Sequence, residues 1–193
     1  MKEMNMEINR IIEKLKHGNK RFFEGKNKLV DLSKERRKFL KEGQKPSIII
    51  VGCADSRVTL AHIFNMGIGE IFEVKLAGNV VDDFALASIE YAVENLDVKL
   101  ILVLGHEGCG AVMAAYDKLI DNLKYNGHIE ILASKIMKKI KNAKNCEEAV
   151  YINIKNTINE IKESYILKKL IEKKQLQIIS AKYHLNGLVE FLD

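Results

Sequence analysis

The chain has no tryptophan, a single proline and only three cysteines. Each scarcity removes a class of explanation. One proline, Pro46, leaves no material for a long proline-rich linker. Cys53, Cys109 and Cys146 form an odd, scattered set, unlike the cysteine framework of a disulfide-stapled secreted domain. They fit a reducing cytoplasm, where thiolates stay available as metal ligands. No run approaches the roughly 18 consecutive apolar residues of a membrane span. The opening MKEMNMEINR lacks the apolar centre of a signal peptide. A cytoplasmic protein with no membrane partner is expected.

With 193 residues, 47% of them hydrophobic and 30% charged, the chain suits one globular domain with a sizeable core. Its net charge is +5. Lysines are spread among glutamates, and the densest basic stretch, KERRKFLKEGQK (34–45), carries two glutamates and no interleaved aromatic platform. Nucleic acid is therefore not expected as a partner, although a mildly positive surface favours small anions.

Apolar periodicity predicts a helix over about 6–23, with Ile8, Ile11, Ile12 and Leu15 on one stripe. A second, highly charged helix is expected over 32–42, polar enough to be held against a partner. SIIIVGC (47–53) and VKLILVLG (98–105) are continuously apolar, the mark of strands buried on both faces of a parallel sheet. GEIFEVKL (69–76) and LQIISAKYHL (176–185) supply two more strands, and LVEFL (188–192) a short terminal one. Helices are expected at 59–65, 82–96 and 108–123, with two more within 129–174. Alternating strands and helices predict an α/β fold: a mostly parallel central sheet of four strands plus a short terminal strand, flanked by helices. No internal repeat or domain boundary interrupts 1–193.

Ligands of such sheets gather beyond the carboxyl ends of the strands. There the first strand ends in CADSR and the third in GHEGCG, offering Cys53, Asp55, Arg57, His106, Glu107 and Cys109. Two thiolates and an imidazole suit Zn2+, and three protein ligands leave a fourth position open, as in catalytic sites. Gly105, Gly108 and Gly110 allow tight turning around His106 and Cys109. Asp55 is a possible fourth ligand in a closed state, or else a partner of Arg57; a bidentate pair would occupy its oxygens. Other readings remain open from spacing alone. The glycines could cradle a phosphate, one cysteine could be a nucleophile paired with His106, and buried cysteines are often plain apolar fillers. Cys146 is expected to be a core or partly buried helix residue, and His184 to lie near the same sheet edge.

These stretches resemble the beta-class carbonic anhydrases. The resemblance is carried by CADSRV (53–58), AGNVVDD (77–83), SIEYAVENL (88–96) and LGHEGCGAV (104–112), and extends to LKHGNKRFFEG (15–25) and YHLNGLVEF (183–191). It implies Cys53, His106 and Cys109 as zinc ligands and Asp55 and Arg57 as a catalytic dyad. It also implies a small substrate pocket from Gln44, Phe72, Tyr91 and Gly110, partly supplied across a dimer interface. The implied reaction is reversible hydration of CO2 to bicarbonate and a proton by hydroxide held on zinc. Hydrolysis of COS or CS2 on the same scaffold and a non-catalytic zinc-binding module are the alternatives. A homodimer or dimer-based tetramer is implied, with residues 1–43 as a helical arm embracing the neighbouring subunit. Ala54, Lys75-Leu76 and Glu107 depart from the residues common in that family. Ile50 stands where some members carry a tryptophan of a second bicarbonate site.

Overall fold

The computed structural model describes residues 2–192. Five strands form one sheet: β1 (Ile48–Gly52), β2 (Ile71–Lys75), β3 (Leu100–His106), β4 (Gln177–Tyr183) and β5 (Val189–Leu192). Their spatial order is β2-β1-β3-β4-β5. The first four run parallel and β5 is antiparallel to β4. The expected mostly parallel sheet with a short terminal strand is what forms.

Side chains of a strand alternate between faces, and the core divides accordingly. Ile49, Val51, Ile101 and Val103 face one layer, with Ile89, Val112, Ile136, Ile154 and Leu167. Ile48, Ile50, Leu100, Leu102 and Leu104 face the other, with Ile8, Leu15, Leu60 and Phe64. Both faces of β1 and β3 are thus covered, which explains their continuous apolar sequence. Each fully buried Ile or Leu contributes about 1.5–3 kcal/mol.

Eight helices pack on these faces among the described residues: α1 (Lys2–Phe23), α2 (Lys34–Phe39), α3 (Leu60–Ile63), α4 (Asp83–Asn95), α5 (Gly110–Asp121), α6 (His128–Met137), α7 (Cys146–Glu163) and α8 (Tyr165–Glu172). None is long and apolar enough to cross a membrane. The C-terminal half differs from expectation, because 129–174 holds parts of three helices rather than two. Ser164 divides α7 from α8: it ends the first, and its side chain accepts a hydrogen bond from the Leu167 amide to cap the second. The charged helix expected over 32–42 is shorter, six residues followed by a 3-10 turn at Leu40–Glu42, with no buried residue in either.

From β1 the chain crosses through α3 to β2, and from β2 through α4 to β3. The chain leaves β1 through α3 on one face and leaves β3 through α5 on the other, so a crevice opens beyond the adjacent carboxyl ends of β1 and β3. Helix α1 packs on its own sheet through Ile8 and Leu15. Its buried Asn19 donates to the carbonyls of Ile63 (3.3 Å) and Gly187 (2.9 Å) and accepts from the Val189 amide (2.8 Å). Close approach of α1 to the end of α3 requires Gly18, where an added Cβ would lie 1.9 Å from the Phe64 carbonyl oxygen. Gly18→Ala should therefore lower stability by about 2–3 kcal/mol, the range of core overpacking. Urea denaturation checks this; an unchanged midpoint would contradict the packing of α1.

Candidate metal centre

Cys53 follows β1 directly, His106 ends β3, and Cys109 is the N-cap residue of α5. The register pairs Gly52 with Leu104, so the two strand ends deliver their polar residues to one place. Between His106 and Cys109 the chain reverses at Gly108, whose φ of 62° favours glycine. The three donor atoms lie within 4.8 Å of one another, and all three residues are buried.

The donor set fits zinc. The sulfurs of Cys53 and Cys109 are 3.9 Å apart, against about 3.8 Å expected for two 2.3 Å bonds at a tetrahedral angle. His106 Nδ1 lies 2.9 Å from the Glu107 carbonyl oxygen. A carbonyl can only accept, so Nδ1 carries the proton and Nε2 keeps its lone pair. Nε2 is the one buried side-chain nitrogen or oxygen among the described residues without a hydrogen-bond partner. A buried lone pair facing two sulfurs is costly unless a cation takes it.

Cys53 is already biased toward ligation. Cys53 is pulled down to about 4, chiefly by the hydrogen bond from the Cys109 thiol, against the effect of burial. The amides of Asp55 and Gly78 add to this, with N–S distances of 3.4 and 3.3 Å. Cys109 is pushed up because its proton is held on Cys53 and because it is buried.

Asp55 turns to Arg57. Its Oδ1 accepts from the Arg57 amide and Nε, both at 2.9 Å, and its Oδ2 from Nη2 at 2.8 Å. The guanidinium holds the carboxyl well below the usual range. Arg57 Nη2 also donates to the Gly108 carbonyl at 3.2 Å, tying the CADSR loop to the GHEGCG turn. Asp55 Oδ2 remains 3.9 Å from His106 Nε2, at the edge of the cluster.

Of the expected pocket residues, Phe72 is half-buried on β2 and packs toward the core, while Gly110 opens α5 at the exposed end of the turn. Phe72 also lines a surface cleft of about 330 Å3 with Leu76, Phe84 and Ser88, which contains none of the three ligands. Gln44 is exposed before the amino end of β1, opposite the end that carries Cys53. Tyr91 is 51% exposed on α4. Neither joins the ligands within one chain.

Glu107 does not serve the cluster; its Oε2 accepts from the Leu185 amide at 3.0 Å and holds the turn after β4. His184 contacts Glu190 at 3.2 Å, in a separate network with Tyr151 and Lys182. Cys146 opens α7, partly buried. Lys75 reaches back to the Val58 carbonyl at 2.6 Å, and Leu76 packs against the core. Sequence reasoning missed Asn153 and Thr157, which bond to Gly78 and Asn79 behind Cys53. The available signal was two polar residues, four apart, on the buried face that Ala149, Val150, Ile154 and Ile161 define on α7.

Comparison with known proteins agrees with this arrangement. The family model for carbonic anhydrase matches residues 48–188. The chain belongs to the beta-class carbonic anhydrase family. Carbonic anhydrase 2 of Mycobacterium tuberculosis is 45% identical over 122 residues, 63% of this chain and 59% of that protein. The carbonic anhydrase of Mycolicibacterium smegmatis is 40% identical over 126 residues, covering 65% and 61% respectively. The match thus spans about three fifths of the length of these curated relatives. Among solved structures, the Coccomyxa beta-carbonic anhydrase in complex with acetazolamide superposes with a TM-score of 0.69 at 27% identity, covering 85% of this chain and 87% of that one.

Stripping metal with a chelator should lower the melting temperature. Zinc returned at about a hundredfold over its dissociation constant should restore about 2.7 kcal/mol. Cys109→Ser should abolish that gain and Cys146→Ser should keep it. A zinc-dependent gain that survives Cys109→Ser would place the metal elsewhere.

Proposed function

We propose that this family member catalyses the reversible hydration of CO2 to bicarbonate and a proton. The observation that carries the reading is the Asp55 carboxylate, fixed by Arg57 at the rim of the Cys53–His106–Cys109 cluster. Cys53, His106 and Cys109 would hold zinc, which would supply the Lewis acidity that lowers the pKa of water toward neutrality. Asp55, ionised throughout the neutral range, acts only as an acceptor. It takes the hydrogen bond of the attacking oxygen and so leaves that oxygen's lone pair facing the substrate carbon. Arg57 keeps the carboxylate in place and off the metal. Family membership and the curated relatives support the same activity.

The reading places CO2 in a small apolar pocket with Gly110 at its wall and Phe72 brought to it across a dimer interface. Gln44 and Tyr91, exposed in a single chain, complete such a pocket when a second copy presents them. We therefore assign a homodimer or dimer-based tetramer, with 1–193 one domain and residues 1–43 gripping the neighbour. Leu29, Leu32, Phe39 and Phe84, from 53% to 103% exposed, are the apolar groups such an interface would cover. Three free cysteines suit a reducing cytoplasm.

Stopped-flow CO2 hydration on zinc-loaded protein tests the activity. Asp55→Asn and Arg57→Ala should each lower kcat/KM by about a hundredfold or more, the scale of a lost proton-handling group. No turnover above buffer at about pH 8, with zinc confirmed bound, would defeat the reading; faster turnover of CS2 than of CO2 would reassign the substrate. For the assembly, sedimentation should give a dimer or a multiple of it, and Phe84→Glu should shift the mass downward. A monomer at micromolar concentration would contradict the shared pocket.

A further inference from the structure

The turn Ala77-Gly78-Asn79 stands behind the metal centre and is buried at Gly78 and Asn79. Gly78 has φ 68° and ψ 22°, the left-handed region. In that conformation its amide points at Cys53 and donates to Sγ at 3.3 Å. The turn closes on itself only through the Asn79 amide, which donates to the Leu76 carbonyl at 3.0 Å, and glycine also samples negative φ freely. Helix α7 adds the restraint on the Gly78 carbonyl itself. Asn153 Nδ2 donates to the Gly78 carbonyl at 2.7 Å. One helical turn further, Thr157 Oγ1 donates to the Asn79 carbonyl at 3.1 Å and lies 3.3 Å from Asn79 Nδ2. Asn153 and Thr157 are 2% and 1% exposed, so water does not compete for these bonds.

We infer that Asn153 is a positioning residue for the metal ligand Cys53, acting through the Gly78 turn. Its amide fixes the Gly78 carbonyl on one side of the residue; the N–H on the other side is thereby aimed at the sulfur. Removing the Asn153 donor leaves a buried carbonyl unpaired. The turn can recover a partner only by rotating, which swings the Gly78 amide away from Cys53. The sulfur then loses a hydrogen bond that both orients its lone pairs and draws electron density from it. Groups that orient a ligand in this way commonly account for 10–100-fold in metal affinity. The inference rests on the metal centre and not on CO2 hydration, so failure of the activity assay leaves it standing.

The test uses Asn153→Leu, which keeps the branched heavy-atom shape and removes the donor, and Asn153→Ala, which leaves room for a water. Zinc affinity is measured by competition with a chromophoric chelator, and the sulfur-to-metal charge-transfer band is recorded on cobalt(II)-loaded protein. In a folded variant, zinc affinity should fall about tenfold or more and the cobalt band should shift. Ile161→Val, about two turns further along the same helix and with no polar side-chain atom to bond the turn, should change neither. Wild-type affinity with an unshifted band overturns the inference. Weaker affinity with an unshifted band overturns it too, because the loss is then one of general stability. Should both variants fail to fold, the wild-type protein loaded with NMR-active cadmium decides: the Gly78 amide proton should show coupling to the metal through Sγ, and its absence overturns the inference.

Discussion

The pairing of β1 with β3 is the constraint on which the site depends. Gly52 lies beside Leu104, so Cys53 and His106 leave the sheet as neighbours, and one turn around Gly108 returns Cys109 to them. Helices covering both faces then bury all three. That burial puts a cost on the cluster, because the imidazole lone pair of His106 finds no partner within the chain. A cation with tetrahedral preference relieves all of it at once. The same register that stabilises the sheet thus creates the demand for the metal.

Much of this was legible in sequence because it is local. Unbroken apolar runs at Ile48–Val51 and Leu100–Leu104 identify strands covered on both faces, and a Cys or His-x-x-Cys at their ends identifies the chemistry. What was not legible depends on long-range contacts. Ser164 splits α7 from α8 through a cap that hydrophobic periodicity does not register. Asn153 and Thr157 read as ordinary polar residues of a helix until the turn some 75 residues earlier is seen against them. Helix α1 read as an amphipathic arm; that it buries Ile8 and Leu15 on its own sheet, with Asn19 tied to Gly187 and Val189, follows only from the assembled fold.

The pocket was the least legible part, for a related reason. Gly110 opens α5 directly after Cys109, whereas Phe72, near the amino end of β2, and the exposed Gln44 and Tyr91 lie apart from the ligands. A sequence motif ties residues to a function without saying which copy of the chain supplies them. The exposed Phe84 and the bare outer edge of β2 mark where a single chain leaves its apolar surface unfinished.

Asp55 shows how the fold decides between two partners of one carboxylate. Binding a metal would require it to abandon three hydrogen bonds from Arg57, two of them charge-assisted and set in a fork that matches both oxygens. The fork is itself anchored, because Arg57 also donates to the Gly108 carbonyl beside Cys109. Moving Asp55 inward therefore disturbs the turn that presents a ligand. Arg57 does more than neutralise a charge: it fixes the carboxylate at the rim of the cluster, 3.9 Å from His106 Nε2, with both oxygens already bonded.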